Sequence, residues 1–368
     1  MSKIIFLVQQ ISQPRCIKRI EDVSSSCIPF EVYGFNNGLY EGNLKDLNFK
    51  INEIRYINKS SKKKVKIFKY YQLVKHVLKN SNKQDIIYCF GFELGAICSI
   101  LNHNRKIVYE EADVSASRFG NTILKTFLLN LDKWIIHRAS LVIFTSKGFV
   151  EYLFKRSNPY KNKIIFIENK LHPSFSEIER PSITLCNSNS ITFGFIGLIR
   201  YPNTILRFAR VVGKHFPQHQ FYFYGDIEGN IIDKNEWGEF QNIKFFGRFR
   251  NPQDLIDIYS QIDINVSCYD TQSENVRIAE PNKLYESIYF MKPIVVSKDT
   301  FLSKRVQEFE SGYSINATED SYIINFIQGL SSEKINTTIK KISNIPSNVL
   351  INNKEELIRR LYKLLYDL

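Results

Sequence analysis

Residues 279–297 read AEPNKLYESIYFMKPIVVS and place a polar cluster directly before two patterns of regular structure. Apolar residues recur at helical spacing from about Asn282, and PIVVS at 293–297 is a β-branched run typical of a buried strand. Pro281 disfavours helix at Glu280 and suits the first turn of a helix. The stretch therefore predicts a helix that begins near Asn282 and leads into a strand of an α/β fold.

The same alternation of helices and strands runs along the rest of the chain. The other β-rich apolar runs are 3–8, 85–91, 106–111, 141–146 and 163–169 in the first half and 191–197, 220–226, 242–248 and 264–270 in the second. Strands that alternate with helices imply parallel βαβ units. The Ser-, Pro- and Asn-rich stretch from about 173 to 190 is typical of a linker.

We therefore predict an α/β fold with two Rossmann-like parallel-sheet domains. The first covers residues 1–180, the second covers 190–345, and a C-terminal helix within 346–368 packs back across the domains. Ligands of open parallel sheets bind beyond the carboxyl ends of the strands. Both domains can present such ends to one central cleft, which suits an enzyme that joins two substrates.

Length and composition limit the class of protein further. The 368 residues fit two domains at roughly 150 residues each, and 43% apolar residues are enough for two cores. Six scattered cysteines without a CxxC motif are typical of reduced cytosolic thiols. No run approaches the ~20 apolar residues of a membrane span, and the first residues turn polar too soon for a signal peptide. We expect a cytoplasmic protein.

The net charge of +13 lies in the first half of the chain. Residues 1–180 contain 29 Lys and Arg against 16 Asp and Glu, whereas residues 181–368 contain 21 of each. A basic half can face nucleic acid or an anionic membrane, or it can be a solvated lysine-rich face. Because no helix-turn-helix, zinc or aromatic–basic strand motif is present, we expect no nucleic-acid partner. Residues 62–80 and 124–138 are basic amphipathic patterns that can lie on anionic lipid or pack into a core.

The polar cluster near residue 280 has the chemistry of a phosphate site. A helix N-terminus presents free N–H groups and a partial positive charge. Lys283 adds a full positive charge, and Glu286, one turn further, can accept hydrogen bonds from two hydroxyls of a ribose. The stretch can thus hold a nucleoside diphosphate. Alternatively, Glu280 and Glu286 only complement the helix dipole and Lys283 is solvated.

Three predicted strands of the second half end in glycine, at Gly197, Gly225 and Gly247. Glycine lets a backbone approach a ligand closely, although each of these residues can also belong to an ordinary tight turn. Arg200 follows the first of these strands, where its planar guanidinium suits the oxygens of a pyrophosphate. Arg248 follows the third strand directly.

With these motifs in order, the sequence resembles the GT-B glycosyltransferases of the family-four type, especially bacterial capsule and O-antigen enzymes. The segment 281–297 is similar to that family's PNK-x-x-E-x-x-x-x-x-K-P-hydrophobic signature. IGLIR (196–200), FYGD (223–226), FGR (246–248), YEEAD (109–113) and VIFTSKGF (142–149) also match in order. The resemblance covers most of the chain and is stronger in the second half.

The resemblance implies a UDP- or GDP-sugar donor in the second domain and a glycan or polyprenyl-linked acceptor in the first. It implies that Glu286 holds the ribose and that Arg200 and Lys283 neutralise the diphosphate leaving group. It also implies that the backbone around Arg248 and Phe249 borders the base. Asn282, Gly197 and Gly225 complete the expected nucleotide site. The reaction would pass through an oxocarbenium-like state and retain the anomeric configuration without a metal, which agrees with the absence of Asp-x-Asp from the sequence.

One position departs from the family pattern. Many relatives carry a first glutamate eight residues before the second, by the donor sugar. Here Ile278 stands in that register, and Glu280 is the candidate substitute. Because of this departure, the chain can alternatively be a GT-B-like protein that binds nucleotide or glycan without turnover.

The first half carries an acidic cluster at the end of the predicted strand 106–111. Glu110, Glu111 and Asp113 lie there, on the cleft side of the sheet. Glu111 or Asp113 could orient or deprotonate an acceptor hydroxyl. Alternatively, Asp113 is a helix N-cap and the glutamates are solvated. The resemblance adds a peripheral position on the inner face of the cell membrane, reached through the basic first half.

Overall fold

The protein is described by a computed structural model. It covers residues 2–38, 44, 47–58, 60–102, 104–120, 122–155, 157–186, 190–199, 202–226 and 237–366. The chain forms two compact units, Met1–Glu168 with Asn353–Leu368, and Asn169–Asn352. Within the described residues, no helix is long and apolar enough to cross a membrane.

The first unit is a seven-stranded parallel sheet in the order β3-β2-β1-β4-β5-β6-β7. Its strands are β1 (Ile4–Val8), β2 (Phe30–Asn36), β3 (Glu53–Tyr56), β4 (Ile86–Phe90), β5 (Ile107–Glu111), β6 (Leu141–Phe144) and β7 (Ile164–Phe166). Its helices are α1 (Pro14–Ser24), α2 (Lys63–Asn80), α3 (Phe92–Leu101), α4 (Ile123–Arg138) and α5 (Lys147–Phe154), with 3-10 turns at Ser115–Arg118 and Lys161–Lys163. The central strands are buried on both faces because crossover helices cover both sides of a parallel sheet.

The second unit is a six-stranded parallel sheet in the order β10-β9-β8-β11-β12-β13. Its strands are β8 (Thr192–Ile196), β9 (Gln220–Tyr224), β10 (Ile243–Gly247), β11 (Ile264–Ser267), β12 (Ile294–Ser297) and β13 (Gly312–Ile315). Its helices are α6 (Pro202–His215), α7 (Leu255–Ser260), α8 (Glu274–Ile278), α9 (Lys283–Tyr289), α10 (Phe301–Glu308), α11 (Asp320–Gln328), α12 (Ser332–Ser343) and α13 (Ser347–Leu350), with a 3-10 turn at Pro173–Ser176.

The segment after Glu168 belongs to the second unit, whereas the sequence suggested a division between 180 and 190. Arg180 shows the physical reason, because its guanidinium donates hydrogen bonds to four backbone carbonyls of that unit, including Tyr289 at 3.0 Å and Ile345 at 2.7 Å. The hydroxyl of Tyr289 in turn donates to the carbonyl of Ile178 at 2.9 Å. The polar stretch is thus fixed by side-chain bonds to helix ends.

The last helix, α14 (Glu355–Tyr366), returns to the first unit. Leu357, Leu361 and Leu365 lie on one face and are buried in the same core as β1 and β4. The hydroxyl of Tyr362 donates to the carbonyl of Ser26 at 2.7 Å. The prediction of a terminal packing helix therefore corresponds to a helix that completes the core of the first unit.

Candidate functional site

A cavity of about 390 Å³ lies at the carboxyl ends of β8, β11 and β12 in the second unit. The strand order changes direction between β8 and β11, and open parallel sheets bind ligands at such a switch point. Six residues of its wall carry the argument below: Gly197, Phe249, Asn282, Lys283, Ser297 and Thr300. The structure thus gathers four of the predicted nucleotide-site residues around one opening.

All three predicted strand-end glycines have backbone conformations that L side chains rarely adopt, and Gly247 has φ +79°. Gly197 has φ +136° and Gly225 has φ +129°. A Cβ atom on Gly225 would lie 2.0 Å from the carbonyl oxygen of Gly197, so a side chain there cannot be accommodated. Gly197 itself faces the cavity, and Gly225 supports it from the neighbouring strand end. Glycine is therefore required at position 225 by the close contact between the two strand ends. An ordinary tight turn, the alternative considered from the sequence, does not by itself explain this requirement.

Helix α9 begins at Lys283 with Asn282 as its N-cap, so the predicted helix start near Asn282 is confirmed. Lys283 is 5% exposed, and its Cε atom lies 3.4 Å from where a Cβ on Gly197 would be. Within the part of the chain that the structure describes, it is the one charged side chain that lines the cavity. A buried cation at strand ends is suited to an anionic ligand, because low local dielectric strengthens the attraction.

The carboxylate of Glu286 is bonded from three sides and is 2% exposed. Its Oε2 atom accepts from Lys283 Nζ at 2.7 Å and from the hydroxyl of Tyr259 at 3.0 Å. Its Oε1 atom accepts from the amide of Asn282. Burial raises the pKa of Tyr259 well above its usual value, and the charge of Glu286 adds to this. Glu286 lies behind the cavity wall, and its contact with a ribose stays a prediction.

Glu280 is also turned into the protein interior. It is 2% exposed, accepts from the hydroxyl of Tyr285 and forms an ion pair with Arg305 at 3.4 Å. Its neighbours Ala279 and Pro281 line the cavity, whereas the Glu280 side chain supports the helix that follows. Ile278, in the register of the missing glutamate, ends α8. Whether Glu280 replaces that glutamate stays a prediction.

Of the two predicted arginines, Arg248 is described by the structure and Arg200 lies outside the described residues. The side chain of Arg248 is 85% exposed and pairs with Asp226 at 2.5 Å, while its neighbour Phe249 lines the cavity. Phe249 therefore borders the cavity and the guanidinium of Arg248 points to solvent, while contact of this backbone with a base stays a prediction.

Hydroxyl and amide groups that sequence reasoning passed over complete the cavity wall. Ser297 ends β12 and donates to the carbonyl of Tyr269 at 2.6 Å. Thr300 donates to the carbonyl of Ser297 at 2.9 Å and caps α10 through Ser303. Asn251 lines the opening close to Phe249. The available signal was positional, since Ser297 ends a predicted strand and Thr300 and Asn251 each come three residues after one.

The acidic cluster of the first unit separates into three environments. Glu110 is fully buried and accepts from Arg19 at 3.0 Å and from the hydroxyl of Tyr88 at 2.5 Å. Glu111 is also fully buried, whereas Asp113 is exposed. The alternative of solvated glutamates is therefore wrong. An acceptor role for Glu111 or Asp113 stays a prediction, and only Asp113 reaches the surface.

Glu111 faces a second buried carboxyl group, that of Asp132 on α4. The hydroxyl of Tyr109 donates to Asp132 at 3.1 Å. Burial raises the pKa of Glu111 well above its usual range, with Asp132 adding to it, and burial raises the pKa of Asp132 to about 6. The pair therefore holds a proton at mildly acidic pH. Elsewhere, across the described residues, no group of three or more His, Cys, Asp and Glu is placed to bind a metal ion.

Comparisons with known proteins agree with this architecture. The Anabaena protein Alr3699/HepE, solved in complex with UDP-glucose, aligns over 99% of this chain and 100% of its own with a TM-score of 0.70 and 16% identity. Sucrose-phosphate synthase from Thermosynechococcus elongatus aligns over 99% of this chain and 98% of its own with a TM-score of 0.69 and 14% identity. The fold is GT-B. The predicted pair of Rossmann-like parallel-sheet domains is confirmed.

Sequence comparison finds a relative that matches part of the chain. The succinoglycan biosynthesis protein ExoL of Rhizobium meliloti (strain 1021) is 23% identical over 239 residues. The match covers 61% of this chain and 59% of that protein's length. No family model matches the chain.

Proposed function

We propose that the protein is a glycosyltransferase that moves a sugar from a nucleoside-diphosphate sugar to a glycan or lipid-linked acceptor in bacterial surface polysaccharide synthesis. The observation that carries the proposal is Lys283, a buried cation on the wall of a cavity at the switch point of the second sheet. The opening is bordered by the strand-end backbone at Gly197, which lets a diphosphate approach closely.

The chemistry follows from this placement. The bond between sugar C1 and the diphosphate oxygen breaks through an oxocarbenium-like state, and negative charge grows on the departing diphosphate. A cation in a poorly hydrated site stabilises that charge more strongly than a solvated cation would. We assign this role to Lys283, with Arg200 as its partner, and assign the ribose to Glu286. Retention of configuration and independence from metal belong to the same proposal.

The relatives support this proposal in two ways. HepE was solved with UDP and with UDP-glucose bound, and its fold matches this chain over its full length. ExoL acts in succinoglycan biosynthesis, which is the synthesis of a bacterial polysaccharide. A UDP-sugar donor is therefore favoured over a GDP-sugar. For the acceptor, we propose that exposed Asp113 is the group that approaches the hydroxyl.

We further propose that the first unit lies against an anionic membrane surface through α2 and α4. Exposed apolar side chains stand on both helices, with Phe68 59%, Ile123 92% and Phe127 60% exposed. Helix α3 contacts both of them, so the two helices share one side of the unit. Exposed lysines, such as Lys63 and Lys64, lie on the same helix as Phe68. Apolar insertion with basic neighbours is the combination that binds anionic lipid.

The direct test of the enzyme function is nucleotide binding followed by turnover. We expect UDP, tested beside GDP, ADP, TDP and CMP, to raise the unfolding free energy by ~2.7 kcal/mol at a hundredfold excess over its dissociation constant. We expect release of UDP from a UDP-sugar to increase with a lipid-linked acceptor. Lys283→Gln should lose both responses, while Lys214→Gln, an exposed lysine at the far end of α6, should keep them.

Two outcomes would contradict the proposal in different ways. UDP binding without any turnover of UDP-sugars would favour a GT-B-like protein that binds nucleotide only. No stabilisation by any of the five nucleotides would remove the donor site itself. The membrane proposal fails separately if the protein does not sediment with anionic vesicles at low salt.

A further inference from the structure

The side chain of Tyr259 connects a distant helix to the donor cavity. Tyr259 belongs to α7, is fully buried and stacks on Phe290 with ring centroids 4.6 Å apart and an interplanar angle of 14°. Its hydroxyl donates to Glu286 Oε2 at 3.0 Å. The amide of Asn265 lies 3.4 Å from the phenol oxygen. Because that oxygen accepts from Asn265, its own proton is directed at Glu286.

The same carboxylate oxygen also accepts from Lys283, at 2.7 Å. Lys283 and Glu286 are 5% and 2% exposed, so the pair is almost completely removed from water. A carboxylate at such a depth needs several hydrogen-bond donors to offset the loss of its hydration. In the protein without ligand, Lys283, Tyr259 and Asn282 supply them.

A bound diphosphate would change this balance, because it brings negative charge to the wall on which Lys283 lies. The ammonium group has three N–H donors, and phosphate oxygens compete with Glu286 for them. When Lys283 turns to the phosphate, Glu286 loses its cation and keeps the hydrogen bonds from Tyr259 and Asn282. The lone pair released on Oε2 is then free to accept from a hydroxyl of the ligand.

Resting on the proposed function, we propose that Tyr259 is a positioning residue of the donor site. Its hydroxyl keeps Glu286 oriented while Lys283 exchanges the carboxylate for the diphosphate. The hydrogen bond from Tyr259 therefore contributes more in the complex than in the free protein. It contributes most to ligands that possess ribose hydroxyls, since only these need the oriented carboxylate.

The test compares Tyr259→Phe with a matched control, Tyr289→Phe. Phenylalanine retains the stacking on Phe290 and removes only the hydroxyl. Tyr289 is 1% exposed, and its hydroxyl donates to the backbone carbonyls of Phe175 and Ile178 and contacts no group of the site. The dissociation constants of UDP and of 2′,3′-dideoxy-UDP are measured by calorimetry for the wild type and both variants, with thermal unfolding as a check of folding.

We expect Tyr259→Phe to weaken UDP binding about tenfold or more, as for a hydrogen bond to a charged acceptor, and to leave dideoxy-UDP binding within about twofold. Tyr289→Phe should bind both ligands like the wild type. In a Glu286→Ala background, where Tyr259 has no carboxylate to orient, Tyr259→Phe should cause no further loss of UDP affinity, whereas a general structural defect would still cause one.

The outcomes separate this inference from the function on which it rests. If the wild type binds neither UDP nor GDP, the proposed function is overturned and this inference with it. If the wild type binds UDP and Tyr259→Phe binds it equally well, this inference alone is overturned. An equal loss for UDP and dideoxy-UDP would also overturn it, because the hydroxyl would then act on the fold or the diphosphate and not on the ribose.

Discussion

Removing the charge of Lys283 should destabilise the second unit as well as abolish nucleotide binding. In Lys283→Met, Glu286 remains 2% exposed and keeps only its hydrogen bonds from Tyr259 and Asn282. Breaking a buried ion pair by removing one partner costs about 3–5 kcal/mol, because the other charge stays buried. For a unit of this size, about 2–4 °C is lost per kcal/mol, so the melting temperature should fall by roughly 10 °C.

A second variant separates stability from function. In Lys283→Met with Glu286→Gln, no unpaired charge is buried, and glutamine can still accept from Tyr259. We expect most of the lost stability to return, since neutral replacement of a buried pair is often harmless, while UDP binding stays absent. Chemical denaturation at pH 7 gives the free energies, and calorimetry gives the binding.

An exposed ion pair of the same unit is the matched control. Lys341 and Glu310 lie 2.5 Å apart with side chains 48% and 62% exposed. Lys341→Met should lower the unfolding free energy by no more than about 1 kcal/mol, as for surface pairs in general. A Lys283→Met protein as stable as Lys341→Met, or a double variant no more stable than the single one, would refute the reasoning.

Three further changes have defined outcomes. Gly225→Ala would place a Cβ 2.0 Å from a backbone oxygen at a φ of +129°, so thermal unfolding should show a loss of about 3 kcal/mol or more, whereas Gly120→Ala, with nothing within 4 Å, should be neutral. Burial raises the pKa of Asp132 to about 6. The contribution of the protonated carboxyl group to the unfolding free energy is therefore fully present below about pH 4 and is lost as the pH rises through about 6. Asp132→Asn should therefore raise the unfolding free energy at pH 8 and flatten its pH dependence in urea titrations. An unchanged pH profile would count against the carboxyl pair. Ile123→Ser with Phe127→Ser should reduce sedimentation with anionic vesicles at least several-fold without lowering UDP binding, and equal sedimentation would exclude α4 from the membrane surface.

Much of the fold can be predicted from local sequence patterns. The apolar run 85–91 contains β4, the run 191–197 contains β8, and the helix after Asn282 begins where its N-cap and proline predict. Strands β2, β3 and β13 were not predicted. They are short or interrupted by polar residues and glycine, and β3 and β13 are edge strands, which need no continuous apolar run because only part of them is buried.

The sequence predicted which residues lie at the candidate site, but less well the direction in which their side chains point. Lys283, Gly197 and Phe249 line one cavity because parallel strands end at one edge of the sheet, a rule that sequence reasoning can apply. Glu286 and Glu280 were also singled out, yet their carboxylates turn to Tyr259 and Arg305, which are 27 and 25 residues away in the chain.

The sequence by itself therefore determined most of the strands and their alternation with helices, the strand-end glycines and the cation at the start of α9, since these depend on neighbours within a few residues. Only the tertiary structure decided which carboxylates are buried with a partner, which acid of the first unit reaches solvent, and that the chain returns after Asn352 to complete the first core. These features depend on desolvation and on contacts between residues far apart in sequence, and no local pattern records them.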